Sequence, residues 1–183
     1  MGMGTRTALL LLVGALVCTS ASAAEMIDNP AYEAWAQYEP GSFVSHKGVT
    51  QTQGMNIVAS TTNTLKEVTA EKVVIEIKTS VSMGGQQMPP STQNMDIPAK
   101  VEEPDETAKP KEIEKGTEEL EVKGKKIKTE WVKVEMTQQG VTMTATTWSS
   151  DEVPGKLVKM VSETTTPMVS KTEMTVEDYK IEK

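Results

Sequence analysis

A period-two alternation of apolar and polar residues is the feature that most restricts the fold of this chain. Between Val73 and Val81 every second residue is apolar or threonine, and Glu76, Lys78 and Ser80 occupy positions between them. Successive side chains of a β-strand point to opposite faces of the sheet, so this segment predicts a strand with one apolar and one solvated face. Such strands are typical of antiparallel sheets that are covered on one side.

Similar alternating runs recur along the chain and are separated by glycine and proline turns. The clearest of these runs are 55–61, 95–101, 127–136, 141–145, 157–161 and 174–179. Their spacing predicts about eight to ten strands. The predicted fold class is therefore mainly all-β: a curved antiparallel meander or half-open barrel with one short N-terminal helix.

The curvature is predicted from a break in the alternation. Apolar residues keep one parity from Ile127 to Trp131 and the other from Val132 to Met136. A β-bulge at Trp131-Val132 would bring both sets to one face and would bend the strand. The alternation therefore favours a curved sheet over a flat one.

A short helix is predicted near the start of the folded region. Asn29 is a suitable N-cap, Pro30 suits the first helical position, and Trp35 and Tyr38 follow at helical spacing. Because this helix has an apolar face, we expect it to dock on one end or face of the sheet.

Residues 1–24 have the pattern of a secretory signal peptide. Arg6 supplies a positive charge, 8–17 form an apolar core, and small residues precede a cleavage site near Ala23-Glu25. The chain is therefore predicted to be exported, to the periplasm or outside the cell, with 25–183 forming a single domain. No later apolar segment approaches the roughly 20 residues that a membrane helix needs.

Lipidation of Cys18 is the alternative fate for this N-terminal segment. A bulky Val17 directly before the cysteine is a poor match to a lipidation site, so Cys18 is interpreted as part of the apolar core of the signal peptide.

The charged segment 102–119, which contains Pro104 and Pro110, is predicted to be a mobile loop.

Composition excludes several functional classes. The chain has a net charge of −7, and Arg6 is its one arginine, so binding to nucleic acid is not expected. Cys18 is the one cysteine, which excludes disulfides, thiolate nucleophiles and cysteine-bound metals from the predicted domain. His46 is the one histidine and is interpreted as a surface residue, because no catalytic partner follows from its spacing. We therefore predict a non-enzymatic protein with no cofactor and no metal.

Methionine is unusually frequent, with twelve residues against one phenylalanine. Thioethers bind Cu(I), so one interpretation is a copper site formed by Met83, Met88 and Met95. Methionine can also replace leucine and phenylalanine as plastic core filler. A third interpretation is an adaptable apolar ligand cavity. The residues predicted to line that cavity are Trp35, Met136, Met143, Met160 and Met174.

Trp148, which precedes Pro154-Gly155, is predicted to bury a corner of the sheet.

Three segments resemble secreted proteins of the superfamily of bacterial lipoprotein localisation factors. They are Gly41-Ser-Phe-Val44, the segment from Gly116 to Gly124, and Trp148-Ser-Ser-Asp-Glu-Val-Pro-Gly155. The resemblance implies a half-open antiparallel barrel around a helix, with an apolar concave face that can hold acyl chains. The carriers of this superfamily also use a cavity arginine, and no arginine follows residue 24 here. The resemblance therefore extends to the fold more readily than to the carrier mechanism.

Two functions remain open from the sequence. The first is a binding protein for a lipid-like or other apolar small molecule on the concave face. The second is a structural or interaction domain of the cell envelope, bound to an envelope protein, in which the helix fills that face.

Overall fold

The computed structural model describes residues 26–52, 54–103, 110–138, 141–165 and 169–182. The predicted signal peptide and residues 104–109 of the predicted loop lie outside this part of the chain. The helix and strands are β1 (Met26–Asp28), α1 (Pro30–Ala36), β2 (Phe43–Thr52), β3 (Met55–Val68), β4 (Lys72–Met83), β5 (Gln86–Gln87), β6 (Ser91–Pro98), β7 (Lys100–Glu102), β8 (Lys111–Val122), β9 (Lys125–Gln138), β10 (Val141–Ser149), β11 (Leu157–Thr164) and β12 (Ser170–Lys180).

Ten strands form one open antiparallel sheet in the order β5-β4-β3-β2-β12-β11-β10-β9-β8, and β6 pairs with β4 beside β5. β1 and β7 form a separate two-stranded ribbon. The mainly all-β class with one short helix is therefore confirmed. The sheet consists of two meanders joined by β2 and β12 at its centre, and strands from the middle of the chain form its edges.

The helix α1 begins as the sequence predicts. The Asn29 side-chain oxygen accepts a hydrogen bond from the Ala31 N–H at 3.0 Å, and Pro30 occupies the first turn. Seven residues are too few for a stable isolated helix or for a membrane span, so packing must hold α1 in place. Trp35 is only 6% exposed, and α1 packs on β4 and β6 at one end of the sheet.

One face of the sheet carries most of the core. Directly opposite residues of paired strands share a face. Val44, Leu65, Ile75, Val158 and Val176 lie on the same face as one another and are buried beside α1. We call this the inner face.

The sheet is curved at the helix end. Strands lie about 4.8 Å apart, so β8 would be about 19 Å from β12 in a flat sheet. Instead, Lys123 Nζ at the β8–β9 turn lies 2.7 Å from Asp178 Oδ1 of β12. The tip of the β8–β9 hairpin therefore bends over the end of the sheet.

The predicted bulge at Trp131-Val132 is wrong. β9 pairs with β10 in continuous register from Gln138 to Glu130, which places Val132 on the inner face and Trp131 opposite Trp148 on the outer face. Ile127 has the same parity as Trp131, yet it is fully buried in the core near the tip of the hairpin, beyond the last β9–β10 pair at Glu130. Register shifts occur elsewhere, in the pairings of β3 with β4, β8 with β9, β10 with β11 and β12 with β2.

The prediction of a loop over 102–119 is also wrong for its second half. Residues from Lys111 onward form β8, an edge strand whose side chains are mostly exposed and charged. An edge strand tolerates such residues because one side of its backbone has no partner strand, and charges discourage pairing with other chains.

Candidate ligand-binding face

A row of small and flexible apolar residues crosses the inner face beyond α1. Gly48 of β2 lies opposite both Ala59 of β3 and Met174 of β12. Val81 extends the row on one side and Met160 on the other. All of these residues are half-buried, although they share the face that carries the core.

Gly48 and Ala59 form the floor of a depression, because the residues beside them on β12 and β4 have larger side chains. A Cβ atom added at Gly48 would have only two backbone oxygens nearby, at 3.8 and 4.0 Å. Met174 stands on one side of this floor and Val81 on the other. We call the resulting depression the inner groove, with Gly48, Ala59, Ile57, Val81, Met160 and Met174 as its lining residues.

The groove is open to solvent. In the described residues, the main contacts of α1 with the sheet are with β4 and β6, and the other extensive contacts join neighbouring strands or β8 to β12. No described helix therefore extends over Gly48 or Met174. A contiguous apolar surface that remains uncovered is a feature of ligand and partner sites.

The structure brings four of the five predicted cavity residues together on the inner face. Met160 lies opposite Met174, and Met136 lies opposite Met143. The second pair is displaced by four residues along β10, about 14 Å from the first. Both pairs are half-buried.

Trp35 does not line the open part of this face. Its ring is enclosed in the core, where a Cβ atom added at Gly155 would lie 2.9 Å from the indole. Trp35 therefore closes the helix end of the sheet, and the inner groove begins beyond it.

The three methionines considered for copper do not converge. Met88 donates its backbone N–H to Val81, whereas Met95 lies opposite Ile75, six residues away along β4. This separation is about 20 Å, so the three thioethers cannot bind one ion. Among the described residues, no group of His, Cys, Asp and Glu side chains is arranged to hold a metal either.

His46 is buried, which corrects its assignment to the surface. It is 4% exposed on the inner face, and its Nε2–H donates to the Leu157 carbonyl at 3.0 Å. Burial lowers the pKa of His46 below its ordinary value, and the hydrogen bond to Leu157 opposes this effect. The side chain therefore contributes a neutral polar group next to the groove.

A second concave region lies beside the corner between β10 and β11 and is lined by polar and charged residues. It has a volume of about 780 Å³. Its charged lining residues are Glu118, Glu119, Lys128, Glu130, Asp151, Glu152 and Lys156. Asp151 pairs with Lys156, Glu152 pairs with Lys125, and Glu118 accepts a hydrogen bond from the Trp148 indole. These three carboxylates therefore have structural partners.

The corner itself differs from its prediction. Val153 and Pro154 are its buried apolar residues. Trp148 lies on the outer face, half-buried, with the Lys159 ammonium 5.2 Å from its ring centroid.

The sequence reading missed Gly48 as part of the site. Glycine inside a strand weakens the strand and often marks a close approach of another group, which was an available signal. What the sequence did not show was that β2 pairs with β12, and this pairing places Met174 beside Gly48.

Comparisons with known proteins add little to this geometry. No protein-family model matches the chain, and no curated protein matches it in sequence. Among solved structures, the chain is similar to a LolA superfamily protein from Nitrosomonas europaea, with 9% sequence identity and a TM-score of 0.30. The match covers 84% of this chain and 92% of that one. A similarity at this level supports no argument about function.

Proposed function

We propose that this chain is an exported, non-enzymatic protein that binds one apolar chain of the lipid-like kind in the inner groove. The observation that carries the proposal is the low floor of Gly48 and Ala59 between Met174 and Val81, on a core face that α1 leaves open. Apolar area that leaves water on binding contributes about 25 cal/mol per Å². Methionine walls suit flexible chains because thioether side chains adapt to varied shapes.

Residues 1–24, which have the pattern of a signal peptide, support export. The carboxylates of the polar cleft that already have salt-bridge or hydrogen-bond partners support a binding role over catalysis. A purely structural envelope domain is the competing function. It is favoured by the helix end of the sheet, where Trp35 fills the core.

The test uses the full chain expressed with its own N-terminal segment and purified without detergent. Native mass spectrometry should show a bound apolar molecule that organic extraction removes. Gly48→Leu should fill the groove and weaken binding of a long-chain alcohol by about tenfold or more, because several methylenes lose contact.

Gln51→Leu is the matched control. Gln51 is exposed on the outer face of the same strand, opposite Asn56, so this substitution adds a leucine without touching the groove. Protein that carries no ligand and binds no alcohol, with both variants indistinguishable from wild type, would support the structural role instead.

A further inference from the structure

We infer that the ligand of the inner groove carries a neutral hydroxyl group, which donates a hydrogen bond to the side-chain oxygen of Asn63. The inference rests on the proposed function and adds the chemical class of the ligand: a single apolar chain ending in a hydroxyl.

Asn63 lies at the helix end of the groove. It belongs to the inner face of β3, opposite Val44 of β2 and Ile77 of β4, and Thr61 separates it from the groove floor at Ala59. The residue as a whole is half-buried, but its Oδ1 atom is buried and has no hydrogen-bond partner among the described residues. Buried polar atoms without partners are rare in folded proteins, since each loses its interaction with water.

The neighbouring polar groups on this face already have partners. The hydroxyls of Thr50 and Thr172 are 2.9 Å apart, and those of Thr61 and Thr79 are 3.4 Å apart. His46 donates to the Leu157 carbonyl. Asn63 therefore stands out as the group to which a ligand can supply the missing donor, and the broad χ2 torsion of asparagine lets its oxygen turn toward the groove.

The surroundings of Asn63 select a neutral donor. The residues that face it across the strands are Val44 and Ile77, and the next inner-face residues on β2, β3 and β4 toward the groove are His46, Thr61 and Thr79. None of these offers a carboxylate to an ammonium group, and none offers a cation to a carboxylate or phosphate. Burial of an unpaired charge is costly, whereas a hydroxyl donates and remains neutral.

The experiment compares a long-chain 1-alkanol with its methyl ether, which keeps the oxygen but has no donor. Wild-type protein should bind the alkanol about fivefold to tenfold more tightly than the ether, relative to their partition into an apolar solvent. Asn63→Leu keeps the number and branching of the side-chain heavy atoms and should abolish this preference while it still binds both probes. A merely structural role for Asn63 would change stability in this variant but leave the alkanol-to-ether ratio as in wild type.

The outcomes separate this inference from the proposed function. Two results overturn the hydroxyl assignment alone, provided that Gly48→Leu weakens binding. In the first, wild type shows no preference for the alkanol; in the second, Asn63→Leu keeps the wild-type preference. If wild type binds neither probe, the groove and the hydroxyl assignment both fail. If Asn63→Leu does not fold, the wild-type alkanol-to-ether ratio still tests whether the ligand donates a hydrogen bond from a hydroxyl group.

Discussion

At the scale of single residues, Gly155 is the most tightly constrained position at the corner between β10 and β11. Its φ angle is +75°, and its N–H donates to the Ala34 carbonyl of α1 at 3.1 Å. A Cβ atom there would lie 2.9 Å from the Trp35 ring. Two independent requirements, backbone conformation and space, therefore both call for glycine.

Gly155→Ala should lower the free energy of unfolding by roughly 2 to 5 kcal/mol, the sum of a left-handed backbone penalty and overpacking against Trp35. Gly124→Ala is the matched control, because Gly124 has a φ of +77° but no atom within 4 Å of an added Cβ. The control should cost only the backbone part, about 1 to 2 kcal/mol. Urea unfolding of both variants measures the difference, and equal losses would show that Trp35 moves aside freely.

His46 should make stability depend on pH. Because burial lowers its pKa in the folded protein below the ordinary value of 6.5, the unfolded chain binds a proton more readily. The contribution of His46 to stability is therefore constant above about pH 6.5 and falls as the pH decreases toward its folded pKa.

His46→Gln tests this sign, since glutamine can still donate to Leu157 but does not titrate. Urea unfolding from about pH 8 to about pH 5 should show a larger loss of stability for wild type than for the variant. Parallel pH profiles would contradict a buried neutral histidine.

At the scale of elements, local signals were sufficient where an element depends on its own residues. α1 followed from Asn29 and Pro30, and β4 followed from its alternation. β8 was missed because its charged side chains suit either a loop or an edge strand, and only its pairing with β9 decides between them. The predicted bulge in β9 failed for a related reason: β9 carries apolar residues on both faces, and only its continuous pairing with β10 shows this.

The same limit applied to the candidate site. The four methionines predicted to line the cavity share the inner face, because each lies in a strand whose alternation is local. The groove floor could not be predicted, since Gly48 and Met174 are distant in sequence and meet only through the pairing of β2 with β12. Asn63 gave no signal at all, because an unpaired oxygen is a property of the packed face.

At the scale of the whole molecule, the groove has a definite length, and this length limits the ligand. From Asn63 to Met55 at the far end of β3 the chain advances eight residues, about 27 Å. Ala59 and Gly48 lie near the middle of this path, about 14 Å from Asn63.

Affinity for a series of 1-alkanols should therefore rise with chain length and then level off. Each buried methylene contributes about 0.8 kcal/mol, which corresponds to about a fourfold decrease in Kd. The rise should end when the chain reaches the open edge near Met55. In Gly48→Leu it should end at about half that length, because the leucine blocks the floor. Titration calorimetry across the series measures both end points, and a rise with the same end point in wild type and variant would place the apolar chain elsewhere on the protein.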